Sequence, residues 1–213
     1  MAVGFRSSSN TGNDTNTSTL SPAVPTGAAT GDIVVAILTR WAGGNPAVTP
    51  PAGFSEFGTQ IVNGDAKMNT FWKRLTSADA GTYTFSWGSA MWSHMHCFCM
   101  TGVIASGDPI GSNRSTWTGT AGTYGNTQVT TAFTPGLIWS AYNDTGGTHM
   151  PPTDFTEVID FDSGAGAYYL PGADGTHTAS GATVSSSSNA IIVLVALEPE
   201  PPQNSATVWA MSA

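Results

Sequence analysis

Histidine and cysteine side chains crowd together at one place in the sequence, between Trp92 and Cys99. His94, His96, Cys97 and Cys99 are residue types that bind Zn²⁺, which takes four ligands converging on one point. The apolar residues around them predict a strand, in which successive side chains point to opposite faces. The two histidines would then face one side and the two cysteines the other. We therefore expect no metal site here, and we expect both thiols to be reduced and packed in the core.

Carboxylates offer two weaker candidates for chemistry. Asp160 and Asp162 stand at alternate positions beside a Ser-Gly turn, an arrangement that suits calcium but equally suits a solvated hairpin end. Glu56 and Glu157 each follow a Pro-Pro-x-x-Phe segment into a strand, which indicates equivalent structural positions and not a glycosidase pair. The sequence contains no nucleophile elbow, phosphate loop or dinucleotide fingerprint. We expect no enzymatic activity, no cofactor and no metal.

The composition restricts the class of protein. Charged residues make up 9% of the 213 residues, against roughly 25% in an average soluble domain. The 7 Trp, 9 Phe and 5 Tyr provide large apolar surfaces, and long helix-forming segments are missing, so the sequence predicts an all-β chain with a substantial core. Six Lys and Arg residues and a net charge of −8 argue against binding to nucleic acid. The longest apolar run is too short to cross a bilayer, and no signal peptide is evident, so we expect no membrane association and synthesis in the cytoplasm.

Two stretches of the first half recur in the second half. Residues 31–37, GDIVVAI, are matched by residues 136–142, GLIWSAY. Residues 50–57, PPAGFSEF, are matched by residues 151–158, PPTDFTEV. The same order of apolar runs and turns follows each pair, which predicts duplication of a half-domain.

The repetition leads to a specific fold prediction. We expect one jelly-roll-like, two-sheet β-sandwich over residues 1–198, with pseudo-repeats of about 1–105 and 106–198. An immunoglobulin-like sandwich and two tandem small β domains are the alternatives. At the start of the chain, residues 3–8 are predicted as the first strand and residues 15–20 as an edge strand, with a polar loop between them.

Three apolar runs, at residues 33–38, 97–104 and 191–197, do not alternate with polar residues. A sandwich strand normally buries one face and exposes the other, so the second faces of these runs need cover. The cover comes either from long loops of the same chain or from other copies of it. Because a surface with few charges lacks the usual repulsion against association, we favour other copies, in a homo-oligomer for which a trimer is one arrangement.

The end of the sequence, residues 199–213, is predicted to be a Pro-rich linker followed by a C-terminal arm. Its prolines cannot continue a strand, and they precede a short segment with several apolar side chains. Such a segment suits docking on a neighbouring molecule, and the first residues of the chain are expected to form an N-terminal arm with the same role. The predicted contact residues are Val3, Phe5, Val208, Trp209 and Met211.

The first half also carries a family resemblance. The segments that carry it are G-D-I-V-V-A-I at residues 31–37, P-P-A-G-F at 50–54, F-W-K at 71–73 and A-D-A-G-T-Y-T-F at 78–85. This pattern resembles a family of virion proteins of tailed bacteriophages, especially those of actinobacterial hosts, described as capsid decoration, minor capsid or minor tail proteins. The second half departs from the pattern at three positions, which are Leu137, Asp154 and His177.

The resemblance implies a virion structural protein without enzymatic activity, made in the host cytoplasm and located in the virion. Its most direct form is a capsid decoration (minor capsid) protein that binds the major capsid protein or other virion proteins and stabilises the head lattice. The alternative is a minor tail or host-binding protein that recognises cell-surface glycan. In that case Trp41, Trp117 and Trp139 are candidate members of an aromatic platform.

Overall fold

The computed structural model describes residues 1–41 and 44–202, without the side chains of residues 13–15 and 121. The regular structure of this part of the chain consists of β-strands, which confirms the predicted all-β class. No helix among the described residues is long and apolar enough to cross a membrane.

The first half of the chain forms a seven-stranded antiparallel sheet. Its strands are β1 (Gly4–Leu20), β2 (Ile33–Trp41), β3 (Val48–Thr49), β4 (Ser55–Glu56), β5 (Ile61–Asn63), β6 (Ala66–Arg74) and β7 (Phe85–Thr101). They lie in the order β1-β7-β2-β6-β4, with β3 paired to β7 and β5 to β6. The β-branched run of β2 is central and buried on both faces, as its lack of alternation predicts.

The second half forms a six-stranded antiparallel sheet and a separate hairpin. The sheet contains β8 (Arg114–Thr123), β10 (Gly136–Asn143), β11 (His149–Met150), β12 (Thr156–Phe161), β13 (Gly164–Tyr169) and β15 (Thr183–Leu197). The hairpin consists of β9 (Thr127–Thr131) and β14 (Gly175–Ala179).

The strand orders of the two sheets correspond. The path β1-β7-β2-β6-β4 of the first sheet has its counterpart in β8-β15-β10-β13-β12 of the second. The short strands β3 and β11 pair with β7 and β15, respectively, at corresponding places. This correspondence favours the predicted duplication of a half-domain, which remains a prediction, and it assigns each pseudo-repeat to one sheet.

The two sheets pack face to face around a shared core. Ile33, Val35 and Phe98 from the first sheet belong to the same buried cluster as Ile138 and Val193 from the second. Alternate residues of β2 and β7 point into this inter-sheet core, and the residues between them point to the outer face of the first sheet. The predicted two-sheet β-sandwich is confirmed.

The outer faces of both sheets are covered by the chain itself. Over the first sheet lie side chains from the end of β1, from loops and from the start of β7, which are Leu20, Ala28, Phe54, Tyr83, Phe85 and Trp87. Over the second sheet lie residues of the hairpin and its neighbours, including Tyr124, Val129, Ala179 and Val184. Of the two kinds of cover weighed for the non-alternating runs, the structure shows loops of the same chain. The preference for cover by other copies is wrong for these faces, because the folded-back segments already bury them.

The first strand also differs from its prediction. β1 runs without interruption from Gly4 to Leu20, although residues between the two predicted strands are polar. Asn10 pairs with His96 and Thr11 with Met95 in the ladder with β7. The backbone pairing with β7 therefore keeps extended a segment whose Asn, Thr and Gly residues are typical of a loop.

The sandwich has two different ends. At one end, which we call the terminal end, the Met1 ammonium donates a hydrogen bond of 2.7 Å to the Glu200 carbonyl, and Val103 pairs with Pro199. At the other end, which we call the distal end, Trp41 pairs with Trp92 where β2 and β7 leave the inter-sheet core. The first residue and the last described residues, 199–202, therefore lie together, away from the distal end.

Candidate functional site

A cleft of about 520 Å³ opens between the two sheets at the distal end. This volume lies within the range of roughly 300–1,000 Å³ that is typical of small-ligand sites. Strands β7 and β12 and the turns after β10 and β12 provide the side chains that define it, which are Trp92, His94, Asp144, Phe161, Asp162 and Ser163. A shallower depression of about 390 Å³ lies on the other side of Asp162 and includes Asp160.

Trp92 forms the exposed aromatic wall of the cleft. Its side chain is 47% exposed, and it is the one aromatic residue among the exposed large apolar residues of the described chain. The Trp41 ring packs against it, with ring centroids 5.7 Å apart and the planes tilted by 49°. This contact restricts the orientation of Trp92 without covering its outer surface, so the indole is held as a flat, accessible surface.

His94 joins the two sheets at the wall of the cleft. Its Nε2 atom lies 2.8 Å from the Ser163 hydroxyl oxygen, and its ring meets the Phe161 ring edge-on at 5.2 Å. Gly12, on the neighbouring strand β1, lies against the His94 ring, and a larger residue there would collide with it. The position of His94 is therefore set by contacts from β1 and from the second sheet.

His96 lies deeper between the sheets. Its Nδ1 atom is 3.0 Å from the Ser140 hydroxyl oxygen, and its ring stacks on Phe161 at 6.1 Å. Burial, with smaller contributions from His94 and His149, lowers the pKa of His96 to about 3. This imidazole is therefore neutral at pH 7, and it packs against Phe161, which lines the cleft, without lining the cleft itself.

Two carboxylates face the cleft from the second sheet. Asp144 accepts a hydrogen bond of 3.2 Å from Asn189 through Oδ2, while its buried Oδ1 has no hydrogen-bond partner among the described residues. Asp162 lies against Gly146, where a Cβ atom would be 2.9 Å from the Asp162 carbonyl and carboxylate oxygens. Gly146 has a φ of 72°, so this tight turn needs glycine both for its backbone and for the close approach.

A cluster of hydrogen bonds centred on Asn143 fixes the turn that carries Asp144. The Oδ1 atom of buried Asn143 accepts hydrogen bonds from the Thr145 amide at 3.1 Å, the Thr145 hydroxyl at 3.1 Å and the Ser188 hydroxyl at 2.6 Å. Ser186 donates to the same oxygen at 3.1 Å. The cleft wall is therefore preorganised, because the turn cannot move without breaking several partly buried hydrogen bonds.

The chemistry of the cleft is that of an aromatic surface beside hydrogen-bond acceptors. None of the described residues that line it is Lys or Arg. The part of the chain that the structure describes also contains no group of three or more His, Cys, Asp or Glu residues that could hold a metal ion. The arrangement suits an uncharged or cationic ligand that has an apolar face and several hydrogen-bond donors.

The histidine and cysteine cluster is divided as its alternation predicts. His94 and His96 face the second sheet, whereas Cys97 and Cys99 are free and buried in the outer core of the first sheet. Burial raises the pKa of both thiols to about 12. The predicted packing of the thiols is confirmed.

The predicted carboxylate candidates separate in the fold. Asp162 reaches the cleft, and Asp160 lies in the adjoining depression. Glu56 accepts a hydrogen bond of 2.7 Å from Asn69 in the first sheet, and Glu157 lies on β12, the counterpart of the strand that carries Glu56. Burial raises the pKa of Glu157. These two glutamates occupy corresponding edge strands, as predicted, and they do not face each other across a cleft.

The predicted contact residues at the N-terminus have partners within the chain. Val3 is buried in the inter-sheet core against Gly136, and Phe5 stacks on Tyr168 with ring centroids 4.1 Å apart. Both residues therefore join the two sheets, and a further role at an interface stays a prediction. The remaining three predicted contact residues lie outside the described residues; they are Val208, Trp209 and Met211.

The predicted aromatic platform does not assemble. Trp139 is 1% exposed and belongs to the outer core of the second sheet, and Trp117 packs edge-on against Tyr124 over that core. Of the three tryptophans proposed, only Trp41 reaches the distal end. Trp92 is not among the predicted site residues, although the alternation that placed His94 and His96 on one face of the strand extends back to it.

Comparisons with protein-family models, curated proteins and solved structures return no match. The class of the protein is therefore defined by its own fold, an all-β sandwich of two antiparallel sheets. Its two ends differ in chemistry, with an apolar groove at the terminal end and an aromatic side chain beside carboxylates at the distal end.

Proposed function

We propose that the chain is a structural protein of a bacteriophage virion, most simply a capsid decoration (minor capsid) protein that binds the head lattice as a homo-oligomer. The observation that carries the proposal is the terminal end, where the first residue and the last described residues lie together beside an apolar groove. The resemblance of the first-half motifs to phage virion proteins supports the same interpretation. The proposed partners are the major capsid protein and other copies of the chain.

The groove at the terminal end is suited to adhesion. It has a volume of about 540 Å³, and its lining includes Met1, Ala2, Phe133, Pro199 and Pro201. Met1 is 75% exposed. Exposed apolar surface of this kind marks interaction sites more often than isolated apolar residues do.

The position of the groove connects it with the predicted C-terminal arm. The last described residues form one side of the groove, and the apolar sequence V-W-A-M follows in residues 208–211. An arm that begins beside an apolar groove can bind a neighbouring subunit together with that groove, so that both contribute to one attachment surface.

Reconstitution on particles tests the proposal. Purified particles that lack the protein are incubated with the full chain, with a chain that ends at residue 202, and with a Met150→Ala control, which changes an exposed residue on β11. Quantitative mass spectrometry then gives the copy number per particle. We expect hundreds of copies for the full chain and the control and at least a tenfold loss for the truncated chain. Attachment of the truncated chain at full copy number, or no attachment of the intact chain, would refute the proposal.

The distal cleft favours a second candidate function, that of a minor tail or host-binding protein that recognises cell-surface glycan. The exposed indole of Trp92 beside carboxylate acceptors is the specific observation in its favour. The same particle experiment separates the two functions, because a tail protein would be present in a few copies instead of hundreds.

A further inference from the structure

We infer that the distal cleft is a saccharide-binding site that takes an uncharged pyranose ring against Trp92, with hydroxyl groups of the sugar donating hydrogen bonds to Asp144 and Asp162. The inference deepens the second candidate function, on which it rests, by naming the residues and the class of ligand. It concerns the end of the sandwich opposite the proposed attachment surface, so the two can be tested separately.

The aromatic wall provides the stacking half of the site. The C–H bonds on one face of a pyranose ring carry partial positive charge and pack well on the negative face of an aromatic ring. Trp92 offers such a face, because it is 47% exposed while Trp41 supports it from β2. Phe161, whose ring is held between His94 and His96, adds apolar surface on the opposite side of the cleft.

The carboxylates provide the polar half of the site. The buried Asp144 Oδ1 atom, which solvent does not reach, has no hydrogen-bond partner among the described residues. Asp162, which is exposed, presents its carboxylate to the cleft directly, and the Asp144 Oδ2 atom, which accepts a hydrogen bond from Asn189, is the second acceptor of this wall. Because Asn143 and its hydroxyl partners already fix this turn, the acceptor is oriented before a ligand arrives.

The charge of the lining selects the type of saccharide. Asp144 and Asp162 are both acidic, and no Lys or Arg is among the described lining residues. Uronic and sialic acids would place a carboxylate beside these side chains, where like charges repel. Neutral hexoses and N-acetylhexosamines bring hydroxyl and amide donors without that repulsion.

Titration of the full chain with defined oligosaccharides tests the inference. The probes are β-1,4-linked tetrasaccharides of glucose and of N-acetylglucosamine, with tetragalacturonic acid as the acidic comparison, and binding is followed by tryptophan fluorescence and calorimetry. We expect one of the neutral tetrasaccharides to bind with a Kd between about 10 μM and about 1 mM, and the acidic one to bind at least about tenfold more weakly.

Variants assign the binding to the cleft. Trp92→Ala should weaken binding about tenfold or more, and Asp144→Asn should weaken it severalfold, because the amide keeps the shape but presents a poorer acceptor to a hydroxyl. Met150→Ala, an exposed apolar residue that does not line the cleft, should bind as the unaltered chain does. Circular dichroism confirms that each variant is folded.

Three outcomes would overturn the inference: no binding of either neutral tetrasaccharide up to about 10 mM, unchanged binding by folded Trp92→Ala, or preference for the acidic probe. Retained particle attachment by Trp92→Ala alongside lost saccharide binding would support it. Failure of attachment with intact saccharide binding would instead count against the proposed decoration function alone.

Discussion

Acid should destabilise the protein through His96, and the size of the effect follows from its environment. The ring is 2% exposed and lies between the sheets, where burial lowers its pKa from 6.5 to about 3. The unfolded chain therefore takes up a proton below pH 6.5, while the folded chain does not until about pH 3. The stability that this neutral histidine contributes is complete above pH 6.5 and is lost as the pH falls towards 3. Each pH unit in that window costs about 1.4 kcal/mol, which amounts to about 3 kcal/mol at about pH 4.5.

The assay is equilibrium unfolding in urea at about pH 7.5 and about pH 4.5, for the unaltered chain and for His96→Asn. Asparagine keeps a polar group near Ser140 but does not titrate. The free energy of unfolding of the unaltered chain should fall by about 3 kcal/mol more than that of the variant between the two pH values, because all other titrating groups, including His149, are common to both proteins. His177→Asn, at a half-exposed position of β14, controls for the loss of a histidine as such. Equal pH dependence in the unaltered chain and His96→Asn would refute the reasoning.

Two further predictions concern the two kinds of core. Gly166→Ala should destabilise the sandwich by about 1–3 kcal/mol, since a Cβ there would lie 2.6 Å from the Phe98 ring and 3.3 Å from Ile159. In thermal unfolding, the double variant Gly166→Ala, Phe98→Leu should lose less stability than the two single variants lose when their losses are added. Simple additivity of the two losses would contradict the steric explanation. In the outer core, Cys97 and Cys99 should react with an aromatic disulfide reagent at least about a hundredfold more slowly in the native protein than in denaturant, because burial raises the pKa of both thiols to about 12 and blocks access. Rapid labelling of the native protein at about pH 8 would show that the cover of the first sheet opens readily.

The local features of the strands could be predicted from the sequence. The apolar run of β2 indicates a strand buried on both faces, because neither face of a central, doubly covered strand tolerates polar groups. The alternation in β7 places His96 and Cys97 on opposite faces, since successive side chains of a strand always diverge. The repeated Pro-Pro-x-x-Phe motif identifies the corresponding edge strands β4 and β12.

Neither the cover of the outer faces nor the existence of the cleft could be predicted in the same way. Each depends on contacts between residues that are distant in sequence. Phe54 covers the first sheet by packing edge-on against Tyr83 and Phe85, an arrangement that no periodicity reveals. The cleft unites Trp92 with Asp144, and their proximity follows from how far β7 and β10 extend at the same end of the sandwich. Pairing and packing of whole sheets decide such distances, and local residue patterns do not.

The covered outer faces restrict where this protein can adhere to anything. The faces of β2, β7 and β15 that face away from the inter-sheet core are already buried under the chain's own loops and hairpin, so a partner could reach them only after those segments had unfolded. A stable interface buries about 800 Å² on each partner, and that area has to come from surfaces that the fold leaves free. The lateral apolar strands, which first suggested association, are therefore the least suitable surface for it. Adhesion is better supported at the ends, where the groove beside Pro199 and the cleft beside Trp92 expose different chemistry. If the protein attaches at one end and binds ligand at the other, substitutions at one end should remove attachment or ligand binding without affecting the other. If it associated through its lateral faces, substitutions that disturb the core would remove both properties together.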